Sequence, residues 1–303
     1  MNNYSSRSPP AAVGVVGAGG YAGRELLRLL ARHPGARVVA ATGVEAEMRA
    51  AAPEYVFLAT PAEVSIQWVA GLGTEGDGPQ PRIIDLSGAF RLNHAGAAVY
   101  GWPEKNREAI RTAALVANPG CYATAALTAL WPLVAAGAIE PAEVICDAKS
   151  GASGAGKGLR DDLHFCELEA NCKAYSIYTH RHAPEIAAHA GLDPASFAFT
   201  PHLLPTSRGI LATSYVKLRT ADLGGVYERA YAEHPFVRLR TNRLPELNDV
   251  ARTNFCDLGW AVRADGRQAV IVSCLDNLVK GAAGQAVQNF NLMAGWPEET
   301  ALL

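Results

Sequence analysis

The sequence predicts an α/β protein: a Rossmann-type, doubly wound parallel sheet joined to an α+β domain with a mixed or antiparallel sheet. Three observations carry this. Short apolar runs alternate with helix-patterned segments through the first half, the order that builds a parallel sheet with helices on both faces. A glycine-punctuated turn separates the first run from the first helix. The second half replaces the alternation with longer, β-branched or period-two segments, which suit a sheet with one covered face.

"AVGVVG" (12–17) is the first strand. "RELLRLLARH" (24–33) follows as a helix whose stripe of Leu26, Leu27, Leu29 and Leu30 predicts a buried face, and Pro34-Gly35 stops it. "ARVVAAT" (36–42), "YVFLAT" (55–60) and "RIIDLS" (82–87) read as strands, with "SIQWVAGL" a short helix between the last two. "GLGTEGDGPQP" (71–81) reads as a loop. Beyond Gly120, "EVICDAK" (143–149), "FTPHLL" (199–204), "ILATSYVKL" (210–218), "WAVRAD" (260–265) and "QAVIVSCLD" (268–276) are strand-like. "LVKGAAGQAVQNFNLMAG" (278–295) reads as one helix whose small residues predict close packing back onto the first domain.

Hydrophobic residues make up 49% of the 303 and charged ones 18%, which indicates a soluble globular protein with a sizeable core. A net charge of −2 gives no electrostatic case for nucleic acid or an anionic membrane. The six cysteines (121, 146, 166, 172, 256 and 274) form no CxxC pair and no zinc spacing, so no metal is expected and a reduced, cytoplasmic setting is. The opening "MNNYSSRSPPAA" has no apolar region of the kind a secretion signal needs. The longest apolar run, 123–139, holds Pro132 and Gly137 and reads as a core helix rather than a membrane span.

Four motifs carry chemistry. "VVGAGGYAGREL" (15–26) follows a strand and opens a helix, the context of a dinucleotide-binding turn. Gly17 makes the turn, Gly20 lets the backbone approach a pyrophosphate resting on the helix start, and Gly23 lets helix and strand pack closely. The second strand ends in "ATGVEAEM", with no Asp at its tip; Glu45 comes a few residues late, and Thr42 and Arg49 are the groups on offer to a 2′-phosphate. NAD and NADP both stay open on these residues.

"SGASGAGKGLR" (150–160) imitates a nucleoside-triphosphate loop, but Gly158 stands where a Mg²⁺-holding hydroxyl is needed. A Ser/Gly turn that offers N–H groups to a substrate anion is the better reading. "YTHRHAPEI" (178–186) places His182 three residues before Glu185, a spacing that lets a carboxylate orient an imidazole. His180 and His182 as zinc ligands lack a third partner at recognisable spacing, and a surface cluster without function is the other reading. Finally, "ANPGCYATAALTAL" (117–130) sets Cys121 between a Pro-Gly turn and an apolar helix. A thiol at a helix start loses its proton more readily and becomes a nucleophile. The competing reading is a small buried hydrophobe.

These segments, with "TPHLLPTSRGILAT", "TNFCDLG" and "DNLVKGAAGQAVQN", resemble the N-acetyl-gamma-glutamyl-phosphate reductases, arginine-biosynthesis enzymes with the architecture of aspartate-semialdehyde dehydrogenase. The resemblance runs from Val13 to Leu292. It implies that Cys121 attacks an acyl phosphate to give a thioester, which NADPH reduces to an aldehyde. His182 backed by Glu185 would shuttle the proton, with His180 close behind. Ser87, Gly151 and Asn277 would join Gly17, Gly20, Tyr21, Gly23 and Thr42 on the cofactor. Arg91, Asn118, Ser150, Arg181 and Arg208 would line the substrate site. A homodimer or homotetramer is implied, with a dinucleotide-binding domain of residues 1–120 and 279–303 and a catalytic and dimerisation domain of residues 121–278. The chain departs from the family in "TGVEAEMRAAAPEY" (42–55), where a longer segment with a Ser/Arg pair near the 2′-phosphate is usual. It also has Ala123 for a usual proline, Gly88-Ala89 for Ala-Asp and Thr179 for glycine. Reduction of another acyl phosphate (aspartyl or carrier-linked aminoadipyl phosphate) and a non-catalytic dinucleotide-binding protein are the alternative readings.

Overall fold

The computed structural model describes residues 9–74, 80–92 and 98–303. The chain forms two compact units, one reaching to Asn118 and taking up Ala286–Leu302, the other Pro119–Gln285.

The first unit opens with β1 (Ala11–Val16), α1 (Tyr21–Leu30), β2 (Ala36–Ala41), α2 (Glu45–Ala51) and β3 (Tyr55–Leu58). It continues with α3 (Ala62–Thr74), β4 (Arg82–Asp85), β5 (Val99–Tyr100), α4 (Pro103–Thr112) and β6 (Leu115–Ala117). Its six strands are ordered β2-β1-β3-β4-β6-β5, and every pairing is parallel. The expected Rossmann-type sheet is therefore present. β1 and β3 are buried on both faces, which explains their unbroken apolar runs, whereas β2 lies at the edge with a mixed pattern. Val16, Met48, Val56, Leu58, Trp68, Ile83 and Leu115 form one core. Of the leucine stripe on α1, Leu26, Leu29 and Leu30 are buried and Leu27 only partly so.

The second unit contains α5 (Cys121–Ala135), β7 (Ile145–Gly151), α6 (Phe165–Leu168), β8 (Lys173–Ala174), α7 (His182–Ala190), β9 (Ala198–Leu204) and β10 (Ile210–Lys217). It then adds α8 (Leu223–Tyr231), β11 (Val237–Leu239), α9 (Leu247–Val250), β12 (Cys256–Val262) and β13 (Gln268–Leu275). The seven strands run β11-β12-β13-β10-β7-β9-β8, with parallel and antiparallel pairs, the mixed sheet that was expected. α5, almost wholly buried, packs on β10, β13 and α7.

Three expectations are corrected. The strand placed at 260–265 is β12, which begins four residues earlier at Cys256. Asp257 hides it: that carboxylate is fully buried in the strand, and Arg238 and Arg240 each donate to one of its oxygens at 2.6 Å. The single helix at 278–295 is a π-type turn, Val279–Ala283, followed by α10 (Gly284–Met293). The turn is wide because its backbone bonds span five residues, from the Gly281 N–H to the Asp276 carbonyl and from the Ala283 N–H to that of Leu278, both at 2.9 Å; the Asp276 side chain accepts from the Leu278 and Val279 N–H groups at its start, at 2.9 and 3.1 Å. The loop at 71–81 begins later than expected, since α3 runs to Thr74; its residues 75–79 lie outside the described residues, as does most of the opening segment, 1–8. No helix among the described residues is long and apolar enough to cross a membrane.

Candidate active site

In the second unit the site is built around the start of α5. Gly120 is extended, and Cys121 is the first helical residue. At that position the sulfur sits beside backbone N–H groups that have no carbonyl partner in the helix, so an anionic sulfur is favoured. Glu185, on α7 and buried, accepts from the Gly120 N–H at 2.8 Å. Thr124 clamps the same residue from the other side: its N–H and hydroxyl both donate to the Gly120 carbonyl, at 2.8 and 3.1 Å. The π-type turn packs on Cys121 through Gly281, where a Cβ would come within 2.8 Å of the Cys121 Cβ.

Cys121 lines a cavity of about 230 Å³, the size of a small metabolite. Ser150, Tyr175, His180 and His182 share the wall, and Arg160, Lys173 and Arg181 make it cationic. Asp162 pairs with Arg160 at 2.8 Å and Lys173 at 3.1 Å, which leaves the cations in excess. An anionic ligand suits this wall.

His180 and His182 face each other with ring centroids 4.8 Å apart. The His182 N–H donates to His180 Nδ1 at 3.1 Å, so the neutral His180 ring carries its proton on Nε2. Burial, then the adjacent Arg181, drives the His180 pKa down to about 4, with Glu185 partly offsetting them. Tyr122 and Tyr175 stack edge-on to His180, both at 5.6 Å, and the Tyr175 hydroxyl donates to that of Tyr122 at 3.3 Å. Burial raises both phenol pKa values, so both stay neutral donors.

The structure thus gathers Cys121, His180, His182, Ser150, Gly151 and Arg181 in one cavity. Glu185, through its Oε1, also holds the Gly120 turn and so positions Cys121. One expectation within this unit changes. Arg208 pairs with the buried Asp276 at 3.5 Å and is not among the cavity-lining residues. Asn277 brackets two segments: its Oδ1 accepts from the Gly209 N–H at 2.8 Å and its Nδ2 donates to Ser153 at 2.9 Å. Arg160, Lys173 and Tyr175 were missed because the stretch 157–175 carries no periodicity that marks which side chains turn inward, and Tyr122 because it reads as one more position of the apolar α5 segment. Lys157 of the imitation phosphate loop is exposed, and the chain there enters a short 3₁₀ turn, Ala152–Ala155. Among the described residues no group of three or more His, Cys, Asp or Glu is placed to hold a metal.

In the first unit the glycine turn forms a cradle. Gly17 has φ +81° and lies so close to Ala59 that a Cβ would come within 2.2 Å of that carbonyl. At Gly19 a Cβ would meet nothing within 4 Å, and no side chain caps α1 at Gly20. Open space over an uncapped helix start fits a pyrophosphate. Arg91 is buried and donates to the carbonyls of Asn118 and Leu86, at 2.9 and 2.8 Å. The Asn118 side chain accepts from Asn289 at 3.0 Å, and Ser87 donates to the buried Asp85 at 2.7 Å. Arg91, Asn118 and Ser87 therefore brace the ends of β4 and β6. Arg49, expected to reach the 2′-phosphate, instead pairs with Glu45 at 2.8 Å and donates to the Gly71 carbonyl of α3.

A cysteine at a helix start in a cationic cavity with two histidines, on a chain that also carries a dinucleotide cradle, is the arrangement of a nicotinamide-dependent oxidoreductase. Residues 121–277 match the semialdehyde dehydrogenase dimerisation domain, and residues 44–113 the semialdehyde dehydrogenase NAD binding domain. The chain is 42% identical over 342 aligned positions to an N-acetyl-gamma-glutamyl-phosphate reductase of Symbiobacterium thermophilum, covering 96% of this chain and 97% of the relative. It is 43% identical over 337 positions to the reductase of the same name from Laribacter hongkongensis, with the same coverage. The fold is similar to that of aspartate semialdehyde dehydrogenase II from Vibrio cholerae, with a TM-score of 0.75 at 19% identity, over 95% of this chain and 99% of that one. The chain belongs to the N-acetyl-gamma-glutamyl-phosphate reductase family.

Proposed function

We propose that this chain reduces N-acetyl-gamma-glutamyl phosphate to N-acetylglutamate 5-semialdehyde, with release of phosphate, in arginine biosynthesis. The observation that carries the reading is Cys121 at the start of α5, opening on a cavity with two histidines and three cations. The Cys121 thiolate attacks the acyl carbon; the C–S bond forms and the C–O bond to phosphate breaks. The cations Arg160, Lys173 and Arg181 hold the anionic groups of the substrate, and first-turn N–H groups of α5 stabilise the developing oxyanion. When bound, the nicotinamide dinucleotide supplies the hydride that reduces the thioester carbon. His182 gives a proton to the resulting thiohemiacetal oxygen and takes it back as the C–S bond breaks, which frees the aldehyde and restores the thiolate. The first unit binds the dinucleotide and the second carries catalysis and assembly into a homodimer or homotetramer. All six cysteines are free, which accords with a cytoplasmic setting.

The test is phosphate-dependent reduction of NAD⁺ or NADP⁺ by N-acetylglutamate semialdehyde, run beside aspartate semialdehyde. Cys121→Ala should abolish turnover while dinucleotide binding persists. Turnover of that variant within about tenfold of wild type, some 1.4 kcal/mol of barrier, would sink the assignment.

A further inference from the structure

The sequence leaves the tip of β2 without an acidic residue, yet the structure puts a carboxylate there. Thr42 follows the last residue of β2, and its hydroxyl donates to Glu47 Oε2 at 2.6 Å while accepting from the Val44 N–H at 3.0 Å. Glu47 is exposed on the first turn of α2. β2 lies directly beside β1, with Ala41 opposite Val15 and so two residues short of the Gly17 turn. In this architecture the end of the second strand meets the adenosine ribose of a dinucleotide whose pyrophosphate rests on that turn.

The charges in this place are unsuited to a 2′-phosphate. The segment from Thr42 to Ala51 holds Glu45, Glu47 and one cation, Arg49. Glu45 neutralises Arg49 at 2.8 Å, and the Gly71 carbonyl draws the guanidinium toward α3. A phosphomonoester carries a charge of about −1.5 to −2 at neutral pH and would face the Glu47 carboxylate. A ribose 2′-hydroxyl can instead donate to that carboxylate, as it does to an acidic residue at the strand tip of NAD sites.

We infer that the chain selects NADH over NADPH, and that Glu47, presented by Thr42, is the residue that selects. The inference rests on the reading of the chain as a dinucleotide-dependent reductase. It is tested by fluorescence titration of the full chain with NADH and with NADPH, in wild type, Glu47→Gln and Thr42→Val. Wild type should bind NADH tighter by about tenfold or more. Glu47→Gln should reduce that ratio at least about fivefold, mainly by tightening NADPH, since the like-charge contact is gone. Thr42→Val, which frees the carboxylate from its anchor, should weaken NADH binding. Glu47 is exposed, so an unchanged melting temperature will show that the fold is intact. Tighter binding of NADPH by wild type, or a ratio that Glu47→Gln leaves unmoved, overturns this inference alone. Binding of neither dinucleotide overturns the reductase reading and this inference with it.

Discussion

His180 stays neutral at physiological pH because its ring is sunk among Tyr122, Tyr175 and Phe199 and lies next to Arg181 in the chain. Its pKa of about 4 lies below that of an unfolded histidine, so between these two values the unfolded chain binds the extra proton. The stability His180 contributes is complete above about pH 6.5 and is lost as pH falls toward 4. Melting temperature followed from pH 7 to 4.5 should therefore drop less in His180→Asn than in wild type; parallel curves would refute this. In the proposed mechanism His182 carries the proton, so His182→Asn should lower kcat by about 10²–10⁴-fold. A larger kcat loss in His180→Asn than in His182→Asn would reverse the two roles. Both histidines, with Cys121, were legible in the sequence because their spacing is local. The bond from the Gly120 N–H to Glu185 was not, since 65 positions separate the two in the chain.

At the scale of elements, α5 shows how the fold repairs a local fault. Pro132 lies inside this helix and has no N–H to give the Thr128 carbonyl one turn earlier. The Tyr231 hydroxyl of α8 donates to that carbonyl at 2.8 Å, and Tyr227 donates to the next one, that of Ala129, at 2.6 Å. α8 thus lets a proline sit in the helix that begins at Cys121. Tyr231→Phe should destabilise the protein by about 1–3 kcal/mol in urea denaturation, the cost of a buried acceptor left without a donor. In a Pro132→Ala background a backbone N–H is restored, and the same substitution should cost clearly less. A double-mutant cycle with no coupling would disprove the repair. The helix itself could be read from its apolar run; its dependence on two tyrosines about a hundred residues away could not.

For the whole molecule, assembly through residues 121–277 predicts particles of two or four chains in light scattering, stable on dilution to micromolar concentration. A monomer there would contradict the proposed assembly. The sequence by itself determined the parallel sheet with its glycine turn, the mixed sheet, and the cysteine at a helix start. Each of these is written in short-range spacing: period two in strands, Gly punctuation at turns, a Cys after Pro-Gly. The tertiary structure alone decided where the long charged side chains go. It set Arg160 and Lys173 in the wall of the cavity that Cys121 lines, tied Arg208 to Asp276 and Arg49 to Glu45 and Gly71, and brought Glu47 to Thr42. A guanidinium or carboxylate at the end of a flexible stem takes whichever opposite charge or unpaired backbone group the packing of elements brings within reach, and most of those neighbours are remote in sequence.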